Sequence, residues 1–431
     1  MTSDTSIDTQ VLLNYAAEHF DTFSYLNDNE IAYPYGGFKS LIALGTATTF
    51  NICTKDDFDW NTLDEYLYNN KGKYIIGYLN YQLKNKIEYF KNELNDTLNF
   101  PLVQLYVPQY LFLKEGTTWT AYDKASEDLL STLSTYQAST PEKIANVSES
   151  VEQFSHTEYL TIVARIKEEL AQGNIYEMNF CNNYTGSYKT VDYIKVYQQL
   201  NEISPMPFSA LHKHNEYVVV SASPERFIKK ENDKLISQPI KGTAAREINE
   251  QEDLAQQQGL ELSLKERTEN IMIVDLVRND LSKICEGGTV SVKELCRAYT
   301  FKKVHQLIST IEGKLEDSNT SFSHIMKAMF PMGSMTGAPK YKAMQLIDEL
   351  EVEGRGLFSG TLGYIAPNGD FDFNVIIRSI LFNEEINTYQ YHAGSAITMA
   401  SDAELEYQEC RIKTLPIRLL LDELRAENKY Y

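Results

Sequence analysis

The stretch Leu357–Phe382, "LFSGTLGYIAPNGDFDFNVIIRSILF", decides the fold class. It reads as two strands joined by a turn, because apolar, β-branched and aromatic residues fill short runs on either side of a Pro/Asn/Gly/Asp cluster. Working outward, "GKYIIGYLNYQL" (72–83) and "LVQLYVPQYLFLKEG" (102–116) have the same character, and "TYQYHAGSAITMAS" (388–401) reads as a strand interrupted at a glycine. Helices stand between these groups. "SHTEYLTIVARIKEELAQG" (155–173) opens on a capping box, Ser155 with Glu158, carries an apolar stripe at Leu160, Val163, Ile166 and Leu170, and stops at Gly173. "TGAPKYKAMQLIDELE" (336–351) enters a helix at Pro339, and the C-terminal "AELEYQECRIKTLPIRLLLDELRAE" (403–427) is helical. Strands cluster in antiparallel-looking groups without a steady βαβ alternation, which predicts an α+β fold with large antiparallel sheets.

The chain has 431 residues, enough for two lobes, and the polar segment 131–150, "STLSTYQASTPEKIANVSES", reads as the connection between 1–145 and 150–431. The first ten residues are polar and acidic, unlike a secretory leader, and no run approaches the ~20 apolar residues of a membrane span. Five scattered cysteines without a CxxC pair suit reduced thiols, so a cytoplasmic location is expected. With 60 acidic against 40 basic residues, the net charge of −20 argues against nucleic acid and anionic membranes as partners. An anionic ligand would therefore need a local cation, an arginine or backbone N–H groups.

"QPIKGTAAR" (238–246) places Lys241 between an apolar run and a glycine turn. By itself it reads more readily as a surface charge beside a bend than as an amine held in a cleft. Glu266 and Glu269 lie three apart, as do Glu406 and Glu409, so each pair shares a helix face. Two such pairs could hold a hard cation such as Mg²⁺, or could be ordinary solvated charge in an acidic chain. Arg378, in the apolar "VIIRSIL", needs a carboxylate or phosphate partner, internal or bound. His305 and Glu225 read alone as a structural histidine and a turn carboxylate. No phosphate-binding P-loop, dinucleotide glycine motif or serine or cysteine nucleophile turn is present.

Taken in order, "SPERF", "PIKGTAAR", "ENIMIVDLVRNDL", "VHQLIST", "FPMGSMTGAPKYKAMQLIDELE", "GTLGYI", "IIRS", "AGSAI" and "EYQE" resemble the successive blocks of the chorismate-utilising enzymes. The resemblance runs from about Ser155 to Lys413, and more loosely through "FSYLNDNE" (23–30) and "IIGYLNYQLKNKIE" (75–88). It implies a two-lobed, four-layer αββα sandwich. Within the family, the residue before the glycine of the P-I-x-G-T block is alanine in anthranilate synthases and lysine, as at Lys241, in aminodeoxychorismate synthases. Isochorismate and salicylate synthases carry a water-activating lysine in the block matching "GNIYEMNF", where this chain has Glu177.

The resemblance therefore implies amination of chorismate to 4-amino-4-deoxychorismate, for para-aminobenzoate and folate. Lys241 would be the covalent nucleophile, with its ammonium pKa depressed so that the neutral amine attacks. Glu225 would be the general acid. Mg²⁺ would be held by Glu269 and Glu409, with Glu266 and Glu406 nearby. His305, Ser334, Tyr364, Arg378 and Lys413 would bind substrate, with the N–H groups of Gly394, Ser395 and Ala396. Ammonia would come from a separate glutamine amidotransferase subunit, because the chain lacks a glutaminase nucleophile. The alternatives are anthranilate synthase component I chemistry, or a catalytically silent subunit that binds chorismate or an aromatic amino acid. Two departures from the family pattern stand out: "AGSAI" replaces a glycine-richer loop, and Glu177 replaces a usual glutamine.

Overall fold

A computed structural model describes residues 7–138 and 145–427. The middle of the expected connection, 139–144, lies outside the described residues. Two long strands, Leu41–Ile52 and Val103–Glu115, pair antiparallel from Leu41↔Leu113 to Ile52↔Val103, with a bulge between Thr46 and Thr48. Their length lets them serve two sheets. Beyond Leu41–Leu44 the ladder continues through Thr22–Asn27, Phe208–His214, Tyr217–Ser223, Ser379–Asn383 and Thr388–Ile397 to Glu177–Thr190. Beyond Val103–Tyr106 it continues through Ile75–Leu79, Thr361–Ile365, Phe371–Asn374, Arg226–Glu231 and Lys234–Gln238 to Val304–Lys314 and Ser291–Thr300. Every one of these pairings is antiparallel, so both sheets are of the expected kind. Each sheet combines strands from before residue 145 with strands from after it, joined edge to edge at Thr22–Asn27 beside Phe208–His214 and at Ile75–Leu79 beside Thr361–Ile365.

Side-chain alternation builds the layers. Along Tyr217–Ser223, Val219 joins Phe208 and Ala210 of the neighbouring strand in the core between the sheets. Val218 and Val220 point the other way, onto Leu13 of helix Thr9–His19, Leu133 of Lys124–Leu133, Leu200 of Tyr193–Ile203 and Leu421 of Ala403–Glu427. Helices Leu264–Ser282 and Phe322–Met329 pack Ile273, Val277, Ile325 and Met326 against the second sheet. Two antiparallel sheets with helices outside each give the αββα order.

Local signals read in the sequence reappear in the elements. The Ser155–Glu158 capping box starts helix His156–Ala171, whose Val163, Ile166 and Leu170 are buried with Ile347 of helix Lys340–Leu350. The latter helix has Pro339 as its N-cap and begins at Lys340, at the entry read from the sequence, so the preceding Thr336–Ala338 lies outside it. Thr336–Ala338 instead adds a short strand, Gly337–Ala338, beside Glu177 and Met178.

Candidate active site

Lys241 lies in a bulge. Strand Ile240–Ala245 pairs Ile240 with Ile308 and Thr243 with Gln306, so Lys241 and Gly242 together oppose Leu307 alone. A bulge bends its strand and re-aims one side chain. Gly242 takes φ +85°, a left-handed conformation that favours glycine, and a Cβ there would stand 2.7 Å from Glu266 Oε2 and displace that carboxylate. The result is a buried Lys241 whose Nζ donates to Glu177 Oε1 at 2.8 Å and to the Ser334 carbonyl at 3.3 Å.

The ammonium opens onto a cavity of about 620 Å³, within the range of small-molecule sites. Four acidic side chains, Glu225, Glu266, Glu269 and Glu409, and four basic ones, Lys241, Lys303, Arg378 and Lys413, line it. Glu225 is 3% exposed, and burial pushes its carboxyl up to about 7 despite a 2.6 Å bond from Ser334 Oγ and the nearby Lys241 charge. Strand alternation separates it from its neighbour. Arg226 points into the inter-sheet core, where Nε and Nη2 donate to the two oxygens of Asp372 at 2.8 Å each. Glu225 is thus neither an exposed turn carboxylate nor the partner of Arg226.

Burial alone would depress the Lys241 ammonium, but the carboxylates of Glu177, Glu269 and Glu225 outweigh it and hold its pKa above the usual lysine value. This reverses the expected depression. In the unliganded protein the amine is charged, so any attack by it requires a proton acceptor.

Arg378 lines the cavity with no hydrogen bond from its guanidinium among the described residues. Burial lowers its pKa, opposed by Glu409. Its backbone sits at φ +52°, a left-handed conformation that costs a non-glycine residue about 1–2 kcal/mol. A strained, unpaired cation facing a cavity is suited to a ligand carboxylate. Lys413 reaches the Gly394 carbonyl at 2.9 Å and Glu409 at 2.6 Å.

The "AGSAI" segment is a regular strand, pairing Gly394 with Cys181 and Ala396 with Asn179. None of Gly394, Ser395 and Ala396 has positive φ, so serine and alanine fit without strain. Gly394 is demanded by contact: a Cβ would meet Asn179 Oδ1 and Cys181 Sγ at 2.5 Å each. Gly394 and Ala396 line the cavity, whereas Ser395 points away and bonds Tyr159 OH at 3.0 Å.

Three other expected residues lie off the cavity. His305 stands between the lining residues Val304 and Gln306, so alternation turns it outward to Asp253 and Thr300, each at 2.9 Å. Gln306 occupies the place expected of it, with a buried amide oxygen that has no partner among the described residues. Tyr364 packs on Phe38 and Tyr74 at ring-centre distances of 6.3 and 6.1 Å. Glu406 is buried against Lys265, 2.9 Å away.

Glu266, Glu269 and Glu409 remain as candidate metal ligands. Among the described residues, no three acidic, histidine or cysteine side chains are grouped closely enough to form a metal cage. Glu269 nevertheless has a buried Oε1 without a hydrogen bond from any described residue, and burial drives its carboxyl up to about 8. Glu266 is raised by burial too, while Lys413 and Lys265 outweigh burial at Glu409 and lower it. Mg²⁺ needs only one or two protein carboxylates beside substrate and water, so this donor set fits it.

Sequence reading also missed Arg355, which donates to Met335 O at 2.6 Å and Asn179 O at 2.8 Å and pairs with Glu351. It ties the Ser334 segment to the Glu177 strand. His392 lines the cavity as well, stacked on Phe358 with ring centres 4.6 Å apart.

Residues 23–418 match the family of chorismate binding enzymes. Aminodeoxychorismate synthase component 1 of Klebsiella aerogenes is 38% identical over 259 residues, 59% of this chain and 56% of that protein. Aminodeoxychorismate synthase of Streptomyces griseus is 37% identical over 61% of this chain and 36% of its own length. The alignments thus span between about a third and three-fifths of these relatives. Anthranilate synthase component I from Streptococcus pneumoniae TIGR4 shares the fold, with TM-score 0.76 and 23% identity over 89% of this chain and 92% of that one.

Proposed function

This chain belongs to the chorismate-binding enzyme family, and from that premise we propose that it replaces the C4 hydroxyl of chorismate with an amine, giving 4-amino-4-deoxychorismate. The observation that carries the reading is the pair facing one cavity: a buried Lys241 with a carboxylate acceptor at 2.8 Å, and a Glu225 carboxyl held near 7. The curated relatives that bear this activity in their names support it.

Arg378 and Lys413 receive the substrate carboxylates. Glu177 accepts a proton from the Lys241 ammonium, leaving a neutral amine. The amine forms a bond to C2 as the ring double bonds shift and the C4–O bond breaks. Glu225 gives its proton to the departing oxygen, which leaves as water rather than hydroxide. Ser334 holds the Glu225 carboxyl in line. Ammonia then bonds to C4, the double bonds shift back, and Lys241 departs and recovers its proton from Glu177. Glu266, Glu269 and Glu409 would hold Mg²⁺, which supplies positive charge for a substrate carboxylate when bound. Ammonia comes from a glutamine amidotransferase partner.

The test is incubation of the chain with chorismate, Mg²⁺ and ammonium, followed by an aminodeoxychorismate lyase. Para-aminobenzoate that appears only after the lyase is the expected result. Anthranilate without the lyase would establish the anthranilate synthase reaction instead. No product, even with an amidotransferase partner, would leave a silent chorismate-binding subunit.

A further inference from the structure

Glu225 has a second polar side, away from the substrate cavity. Behind it lies a void of about 10 Å³, room for roughly one water centre. Its polar walls include Glu225, Ser237, Asp280 and Ser334, and Arg226, Phe227, Pro239, Gly333 and the apolar side chains of Val277, Met329 and Met332 close the rest. Ser334 borders both this void and the substrate cavity, and its Oγ donates to Glu225 Oε1 at 2.6 Å. Asp280, 2% exposed, ends the "VRND" of helix Leu264–Ser282 and accepts from Lys283 Nζ at 2.9 Å and from the lysine of "GAPK", Lys340. Lys283 is half-exposed, so the chain of polar groups runs from solvent to the void. The amination chemistry gives Asp280 and Lys340 no contact with substrate.

The reaction needs a proton supply. Each turnover consumes the Glu225 proton in the water that leaves. An alkylamine is protonated at neutral pH, so the product departs as an ammonium retaining all three hydrogens of ammonia. Glu225 must then draw one proton from solvent per turnover.

We propose that Asp280, through one water in this void and the Ser334 hydroxyl, is the relay that returns a proton to Glu225. Asp280 takes a proton from solvent on its Lys283 side and passes it to the water. The water gives a proton to Ser334 Oγ as Ser334 gives its own to Glu225 Oε1. Every bond broken is matched by one formed, and no further reactant is involved. Asp280 acts through Glu225 and is a positioning residue, with no contact to substrate.

The inference rests on the proposed role of Glu225 as acid. It is tested by rapid quench of the ammonia-dependent reaction in wild type, Asp280→Asn and Ser237→Val. Ser237→Val plugs the void while keeping the Asp280 ion pairs, and a β-branched residue suits its strand. A Glu225 already protonated supports one turnover, so the ratio of first-turnover rate to steady-state rate rises about tenfold or more in both variants. A merely structural role slows both phases alike and leaves the ratio at the wild-type value, which overturns the relay. A high-resolution crystal structure of the wild type provides a readout apart from activity: an ordered water between Asp280 and Ser334 is expected, and a dry void refutes the path. A wild type that forms no product defeats the reading of Glu225 itself, whereas a turning-over wild type with unchanged ratios in both variants defeats only the relay.

Discussion

Arg378→Gly separates what this arginine does for the fold from what it does for a ligand. In the folded chain Arg378 sits at φ +52° and its guanidinium, depressed by burial, has no protein partner among the described residues. Glycine relieves a backbone cost of about 1–2 kcal/mol and removes a desolvated charge, against about 0.5–1 kcal/mol of extra unfolded-state entropy. The unliganded variant is therefore as stable as wild type or up to about 1 kcal/mol more stable. For a chain of this size that is a rise in Tm of roughly 1–2 °C at most. Chorismate binding moves the other way. A hydrogen bond to a charged group contributes about 1.5–3 kcal/mol, so its loss weakens binding about 10- to 150-fold. The assay is thermal denaturation with and without chorismate and Mg²⁺, because a ligand bound only by the native state raises Tm by mass action. The expected result is an unchanged or higher unliganded Tm together with loss of the chorismate-dependent shift. A variant that is several degrees less stable yet keeps the full shift would show Arg378 to be structural and refute the reasoning.

Two further outcomes follow from the same geometry. Because burial holds the Glu225 carboxyl near 7, against 4.5 in the unfolded chain, kcat/KM per molecule of uncharged ammonia falls about tenfold per pH unit above 7. The folded state binds that proton more tightly than the unfolded one, so the Glu225 contribution to stability, about 3 kcal/mol, is fully present below about 4.5 and is lost as pH rises through 7. Glu225→Gln abolishes both trends, and a variant that retains the wild-type profiles assigns them to another group. Gly394→Ala places a methyl 2.5 Å from Asn179 Oδ1 and Cys181 Sγ, costing about 1–3 kcal/mol by denaturant titration and raising KM for chorismate. An alanine variant with wild-type stability would mean that these strands separate freely.

Much of this architecture is written locally in the chain. The alternation at 72–83 and 102–116 and the Ser155 capping box depend on near neighbours, and each appears as an element. What the sequence does not display is where long strands change partners. Nothing in Leu41–Ile52 announces that one end serves each sheet. The site was legible as a set of blocks, but side-chain direction within a block was not. A one-residue difference in a strand exchanges its faces, so Gln306 lines the cavity and His305 does not. The bulge at Lys241 and the strained φ of Arg378 are backbone facts set by tertiary packing. The Glu177–Lys241 pair joins residues 64 apart in the chain, and without it the sign of the Lys241 shift is misjudged. Gly394 shows the converse: its glycine reads as a loop requirement, but contact across a strand pair fixes it.

The central claim is that Lys241 bonds to the substrate. Wild-type protein mixed with chorismate and Mg²⁺ in the absence of ammonia, quenched in acid and analysed by intact and peptide mass spectrometry, measures this directly. The expected result is an added mass of chorismate less one water, located on Lys241, absent from Lys241→Ala and discharged as 4-amino-4-deoxychorismate when ammonia is supplied before the quench. A wild type that forms the aminated product at full rate with no such adduct at any time point, or a Lys241→Ala variant that turns over as fast, would contradict it.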